Sequence, residues 1–187
     1  MIVIGITGSI ASGKSTVAEL IAEKKYPLFN ADKIVLNLYK NNKFITLLSK
    51  KFRLSSKKKI KNQIKLIVKK NKKSLKILER IIHPLVRKEM KNFLKIKKKK
   101  LLILEIPLLI ENKLSRYFDK VIFVDAKKKI RLKRYLKRNN DKKTFEILNK
   151  RQTSSAVKKK ACDLTINNNY SLTILKKNVK KFVKYHE

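Results

Sequence analysis

The sequence predicts an α/β fold, a parallel sheet of about five strands with helices on both faces. Three observations carry that expectation. Short apolar runs rich in Val, Ile and Leu, with few charges, recur at residues 2–6, 101–107 and 121–125, as in strands buried on both faces. Stretches with apolar residues three and four apart separate them, as amphipathic helices do. All three glycines of the chain, Gly5, Gly8 and Gly13, fall in the first run and the loop after it.

Residues 2–6 read as the first strand and residues 15–25 as a helix with Val17, Leu20 and Ile21 on one face. Between them, Gly8-Ser9-Ile10-Ala11-Ser12-Gly13-Lys14-Ser15 fits G-x-x-x-x-G-K-[ST], the P-loop. Such a loop wraps a polyphosphate with its backbone N–H groups inward, in conformations and close approaches that a Cβ obstructs. The helix N-terminus adds its dipole and free N–H groups. The cradle is therefore expected from Gly8, Ala11, Ser12, Gly13, Lys14, Ser15 and Thr16, with Lys14 on the β- and γ-phosphates and Ser15 on Mg²⁺. ATP and Mg²⁺ are the expected cofactors. Gly5 is expected to admit a close approach by a neighbouring strand or ligand.

Residues 26–29 read as a second strand ending in Asn30-Ala31-Asp32 at its C-terminal edge, where open α/β sheets bind ligands. Asp32 is one of only 13 acids. It reads either as a carboxylate serving an acceptor hydroxyl or Mg²⁺, or as the N-cap of a helix beginning near Lys33. In an extended segment Asn30 and Asp32 point the same way. Residues 33–96 read as several lysine-rich helices with breaks near 40–43, 54–56 and 71–74. His83-Pro84 is expected to interrupt them, with Pro84 starting a helix through Phe93 and Leu94. His83 reads as a cap or buried hydrogen-bonding group, or as a contact to an anionic substrate.

The lysine run at 97–100 reads as a solvated turn. Residues 101–107 read as a central strand, with Glu105 placed like an acid that holds the Mg²⁺ shell through water. Residues 127–150 read as two basic helices with a break at 139–141, a lid over ATP. Arg131, Arg134, Arg138 and Arg151 cluster here in a chain with only eight arginines, which points to bidentate phosphate recognition. Solvated surface is the alternative reading of Arg131. Residues 163–169 read as a last strand and turn, and Ser171 as the N-cap of a closing helix to about Tyr185.

Lys and Arg total 51 against 13 acids, a formal charge of +38. The excess is lysine spread along the chain without Trp. It reads as drift toward A/T-rich codons rather than a nucleic-acid interface, which concentrates Arg and aromatic residues in a patch. No specific nucleic acid and no membrane are expected as partners. The single Cys162 excludes a disulfide framework and fits a reducing compartment. The short N-terminal apolar run lacks a basic leader, so a cytoplasmic protein is expected.

Several motifs together resemble the dephospho-CoA kinase family. The opening from Gly5 to Thr16, Asn30-Ala31-Asp32, His83-Pro84-Leu85-Val86, Glu105-Ile106-Pro107-Leu108-Leu109-Ile110-Glu111, Arg134 and Arg138, Arg151-Gln152, and Ala161 through Asn167 are similar to its motifs in order. The resemblance implies a three-layer P-loop nucleotide-kinase fold. Residues 1–32, 101–126 and 161–187 would form its nucleotide-binding core, 33–96 a helical acceptor-binding insertion and 127–160 a lid. It implies transfer of the ATP γ-phosphoryl group to the ribose 3′-hydroxyl of dephospho-CoA, by a monomer or weak homo-oligomer. Asp32, Lys14 and Arg138 would be catalytic. Arg138 and Asn167 would join the P-loop in holding ATP, and Asp32, His83, Pro107, Leu108 and Glu111 would meet the acceptor. Asn30 departs from the family's acid there, and returning an acid is expected to be tolerated. The rival readings are another small-molecule P-loop kinase, acting on a nucleoside or nucleoside monophosphate, and a basic nucleic-acid-binding NTPase.

Overall fold

The computed structural model describes residues 1–54, 59–96, 99–139 and 141–184. Five strands, β1 (Ile2–Gly8), β2 (Leu28–Asn30), β3 (Leu101–Glu105), β4 (Lys120–Asp125) and β5 (Leu164–Asn167), form one sheet. Its order is β2-β3-β1-β4-β5 and every pairing is parallel. The helices among the described residues are α1 (Lys14–Ala22), α2 (Ala31–Leu38), α3 (Asn42–Lys51), α4 (Ile60–Lys70), α5 (Lys72–Leu94), α6 (Lys128–Asn139), α7 (Lys142–Lys150), α8 (Ser155–Ala161) and α9 (Leu172–Lys184). This is the α/β parallel-sheet class that the apolar runs predict. None of the described helices is long and apolar enough to cross a membrane.

The chain divides into two compact units, Ala31–Ile96 and the remainder. In the sheet unit, Ile4 and Ile6 of β1, Ile103 of β3, and Ile122 and Val124 of β4 pack with Val17, Ala18 and Ile21 of α1 and Leu175 and Val179 of α9. β1 is central. The chain reaches β2 and β3 on one side of it and β4 and β5 on the other, so connections diverge at its C-terminal end and open a crevice there. The P-loop leaves β1 at that point. Leu109 and Phe118 pack against the bare Cα of Gly5, a close approach made by side chains rather than a ligand.

The helical unit has its own core of Phe44, Leu48, Ile60, Ile64 and Leu78. Its breaks are set by caps. Asn41 Oδ1 accepts from the Phe44 N–H at 3.2 Å and opens α3, and Asn71 Oδ1 accepts from the Lys73 N–H at 2.8 Å and opens α5.

Four local expectations change. His83-Pro84 does not interrupt the helices: α5 runs for 23 residues with Pro84 inside it. An interior proline costs about 3 kcal/mol, but Ile81, Ile82 and Leu85 on either side of it pack against the helical core and hold the helix together. Asp32 is not an N-cap, because α2 starts at Ala31 directly from β2 and Asp32 lies in its first turn. The extended backbone ends at Asn30, so Asn30 and Asp32 do not share the period-two alternation of a strand. The helix expected over 15–25 stops at Ala22, where Glu23 and Lys24 turn to positive φ of 44° and 58°. Ser171 does cap α9, its Oγ accepting from the Ile174 N–H at 3.4 Å. The turn near Ser55 and Ser56, part of the 97–100 lysine run, Asn140 in the 139–141 break and the helix end near Tyr185 lie outside the described residues.

Candidate active site

The loop after β1 is built on left-handed backbone. Ala11 has φ 57° and Gly13 φ 93°. A Cβ on Gly13 would collide with the Asn168 amide, and one on Gly8 would lie 2.8 Å from the Val124 carbonyl oxygen. Both positions therefore demand glycine for space, and Gly13 also for conformation. Lys14, Ser15 and Thr16 follow as the first turn of α1, whose N-terminus carries no side-chain cap. Its first-turn N–H groups and dipole favour an anion.

Strand register brings the next groups together. β2 pairs with β3 so that Asn30 stands opposite Glu105, and β1 places Ile6 beside the same Glu105. Glu105 is 1 % exposed. Its Oε1 accepts from Ser15 Oγ at 2.6 Å, and its Oε2 accepts from Asn30 Nδ2. A buried carboxylate thus meets the P-loop hydroxyl, with an amide rather than a second acid at its other oxygen.

A cavity of about 150 Å³ opens on the loop, lined among others by Gly13, Thr16, Arg134, Arg138, Asn168 and Tyr170. This is below the ~300 Å³ typical of whole small-molecule pockets, so a nucleoside triphosphate would extend beyond it. Arg134 donates to Asn168 Oδ1 at 3.3 Å, while its other terminal nitrogen is buried without a hydrogen-bond partner, as is Ser12 Oγ. Burial lowers the Arg134 pKa and the neighbouring Arg138 lowers it further. Two cations side by side over a loop of N–H donors form a cradle that an anion completes.

Arg131, read either as a phosphate contact or as solvated surface, is 5 % exposed. Its Nε donates to the Ala126 carbonyl at 2.9 Å, and one terminal nitrogen donates to Asn149 Oδ1 at 2.8 Å and to the Ile10 carbonyl at 3.4 Å. Gln152 Oε1 accepts from the Ile10 N–H at 2.7 Å. Asn168 Nδ2 donates to the Ser12 carbonyl at 2.8 Å, whereas Asn167, the residue expected at the nucleotide, is exposed. Sequence reasoning missed Asn168 because three consecutive asparagines gave no register. Of the three, Asn168 is the one that crowds Gly13 and holds the Ser12 carbonyl.

Of the residues expected at the acceptor, Pro107 and Glu111 are tied into the sheet unit. The Pro107 carbonyl accepts from Thr7 Oγ1 at 3.2 Å. Glu111 Oε1 accepts from the Thr153 N–H at 2.9 Å and pairs with the fully buried Lys158 ammonium at 2.9 Å, while Oε2 is buried without a partner. Leu108 is half-buried, and its carbonyl accepts from Asn112 Nδ2 at 2.8 Å. Asp32 and His83 belong to the helical unit. Burial lowers the His83 pKa, Arg87 adds to the effect and Glu79 opposes it, which favours the neutral imidazole at neutral pH. Burial pushes the Cys162 thiol up to about 11, which disfavours the thiolate at neutral pH.

The family model described as dephospho-CoA kinase matches residues 2–173. A dephospho-CoA kinase of Bartonella henselae is 37 % identical over 172 residues, covering 89 % of this chain and 88 % of that protein. Among solved structures, dephospho-CoA kinase from Campylobacter jejuni aligns with a TM-score of 0.71 at 28 % identity, over 97 % of this chain and 95 % of that one. TT1252 from Thermus thermophilus aligns with a TM-score of 0.81 at 27 % identity, over 100 % and 98 %. A P-loop at the switch point of a parallel sheet, an acid on its serine and near-full-length matches at these identities have one reading: the chain belongs to the dephospho-CoA kinase family.

Proposed function

We propose that this chain transfers the γ-phosphoryl group of ATP to the ribose 3′-hydroxyl of dephospho-CoA, giving CoA and ADP, with the roles below. The observation that carries the phosphoryl-transfer part is Ser15 Oγ resting on buried Glu105 at the mouth of the P-loop. Phosphoryl transfer is mostly positioning and charge neutralisation. Main-chain N–H groups of residues 11–16 hold the β-phosphate, and Lys14 and Arg138 balance charge on the transferring group. Asp32 would orient the 3′-hydroxyl and take its proton, and His83, Pro107, Leu108 and Glu111 would meet the acceptor.

The donor set suits Mg²⁺. Ser15 and Glu105 offer oxygen, and no group of three or more His, Cys, Asp or Glu among the described residues forms a dedicated metal cage. Mg²⁺ takes one or two protein oxygens and completes its shell with phosphates and water. Ser15 would hold it directly and Glu105 through water. When bound, it would supply positive charge against the phosphates. The protein would work in the cytoplasm as a monomer or weak homo-oligomer.

An acceptor panel tests the assignment. Coupled ADP release should be fastest with dephospho-CoA, and the product phosphate should map to the 3′-oxygen. A preference for a nucleoside or nucleoside monophosphate would overturn the acceptor assignment while leaving the phosphate site intact.

A further inference from the structure

Three side chains with no role in the proposed chemistry grip the P-loop backbone from outside. Gln152 holds the Ile10 N–H at 2.7 Å, Arg131 holds the Ile10 carbonyl at 3.4 Å, and Asn168 holds the Ser12 carbonyl at 2.8 Å. Arg131 and Asn168 are buried, at 5 % and 6 % exposure. In a trans peptide the carbonyl and the following N–H point in opposite directions. Fixing the Ile10 carbonyl therefore fixes the Ala11 N–H on the other side of that peptide. Fixing the Ser12 carbonyl does the same for the Gly13 N–H. Ala11 and Gly13 both line the cavity on the loop.

The loop needs such restraint. Ala11 at φ 57° is a non-glycine residue in left-handed backbone, a conformation that persists only where its surroundings over-determine it. One held peptide leads directly into it and the other lies one residue beyond it. We infer that Asn168, Arg131 and Gln152 are positioning residues that anchor the outward edge of the P-loop and so aim the Ala11 and Gly13 N–H groups at a bound phosphate. Because Arg131 also holds Asn149 at the end of α7, this grip links the loop to the α6–α7 helices. The inference rests on the P-loop being a phosphate site, but not on the identity of the acceptor.

The three glycines make a direct test. [¹⁵N]glycine labelling gives three amide signals, from Gly5, Gly8 and Gly13, which follow Ile4, Thr7 and Ser12 and are assigned by labelling the carbonyls of those residue types. ADP with Mg²⁺ should shift the Gly13 signal of the unaltered protein. In Asn168→Ala the Gly5 signal should stay in place, showing an intact sheet. The ADP-induced Gly13 shift should largely vanish, and ADP should bind at least ~10-fold more weakly, approaching the ~100-fold that about 1 Å of misplacement costs. Asn168 also touches Arg134, so weaker binding with the Gly13 shift intact would assign the effect to that arginine and overturn the inference. An unchanged affinity and shift would overturn it too. If Asn168→Ala displaces Gly5, Gln152→Ala decides by its ADP affinity: a loss of ~10-fold supports the inference and wild-type affinity defeats it. No Gly13 shift in the unaltered protein would defeat the phosphate-site reading itself.

Discussion

Lys14→Ala is expected to lower turnover with dephospho-CoA by at least ~100-fold, the scale of losing one major electrostatic contact to the transferring group. Lys14 opens α1 at the point where the P-loop closes, directly after left-handed Gly13. Its place at the start of α1 would let the ammonium reach phosphates bound by the loop's backbone N–H groups. Lys14→Arg should not restore the rate, because a planar guanidinium does not occupy the space of a compact ammonium inside a tight loop. Steady-state kinetics with saturating acceptor measure the effect, and a melting curve controls for folding. Lys14 is only half-buried and outside the apolar core, so the melting temperature should move by a few degrees at most. Near-normal turnover in Lys14→Ala would mean that the P-loop does not bind the transferred phosphate here.

What was legible in the sequence was what backbone geometry dictates locally. A chain with three glycines keeps two of them where a Cβ strikes Asn168 or the Val124 carbonyl, and the spacing alone reported that constraint. Strands buried on both faces announce themselves as apolar runs, so β1, β3 and β4 and their parallel arrangement followed. Glu105 was visible because a charge ending an apolar strand needs a reason.

What was not legible depended on tertiary packing. Pro84 reads as a helix breaker in isolation, yet α5 carries it because the residues around it pack into the helical core. Arg131 and Arg134 look alike in a basic helix. One turns inward to Ala126, Asn149 and Ile10 and the other lines the cavity, a distinction set by which helix face meets the loop. The break at Asn30 was misread because strand and helix meet there without a turn residue. The grip of Gln152 on Ile10 spans 142 positions and has no local trace.

Asp32→Asn should reduce turnover by ~100-fold or more, within the 10²–10⁴ range of general acid–base catalysis. ATP affinity should stay within about threefold, an energy of roughly RT. An amide still accepts a hydrogen bond but is a far poorer base than a carboxylate. The contrast with Asn30 sharpens the test. Asn30 donates its amide to Glu105 Oε2, so an acid in its place would face the buried carboxylate. Returning an acid there sets two carboxylates against each other in a buried site and forces one to hold a proton. Asn30→Asp is therefore expected to slow the enzyme, more so as Mg²⁺ is lowered, but less than Asp32→Asn does. This replaces the expectation of simple tolerance. If Asp32→Asn instead turned over near the wild-type rate with only a lowered melting temperature, Asp32 would be serving the α2 dipole from its first turn, worth ~0.3–1 kcal/mol. The hydroxyl would then be activated by another acid, with Glu105 the next to test.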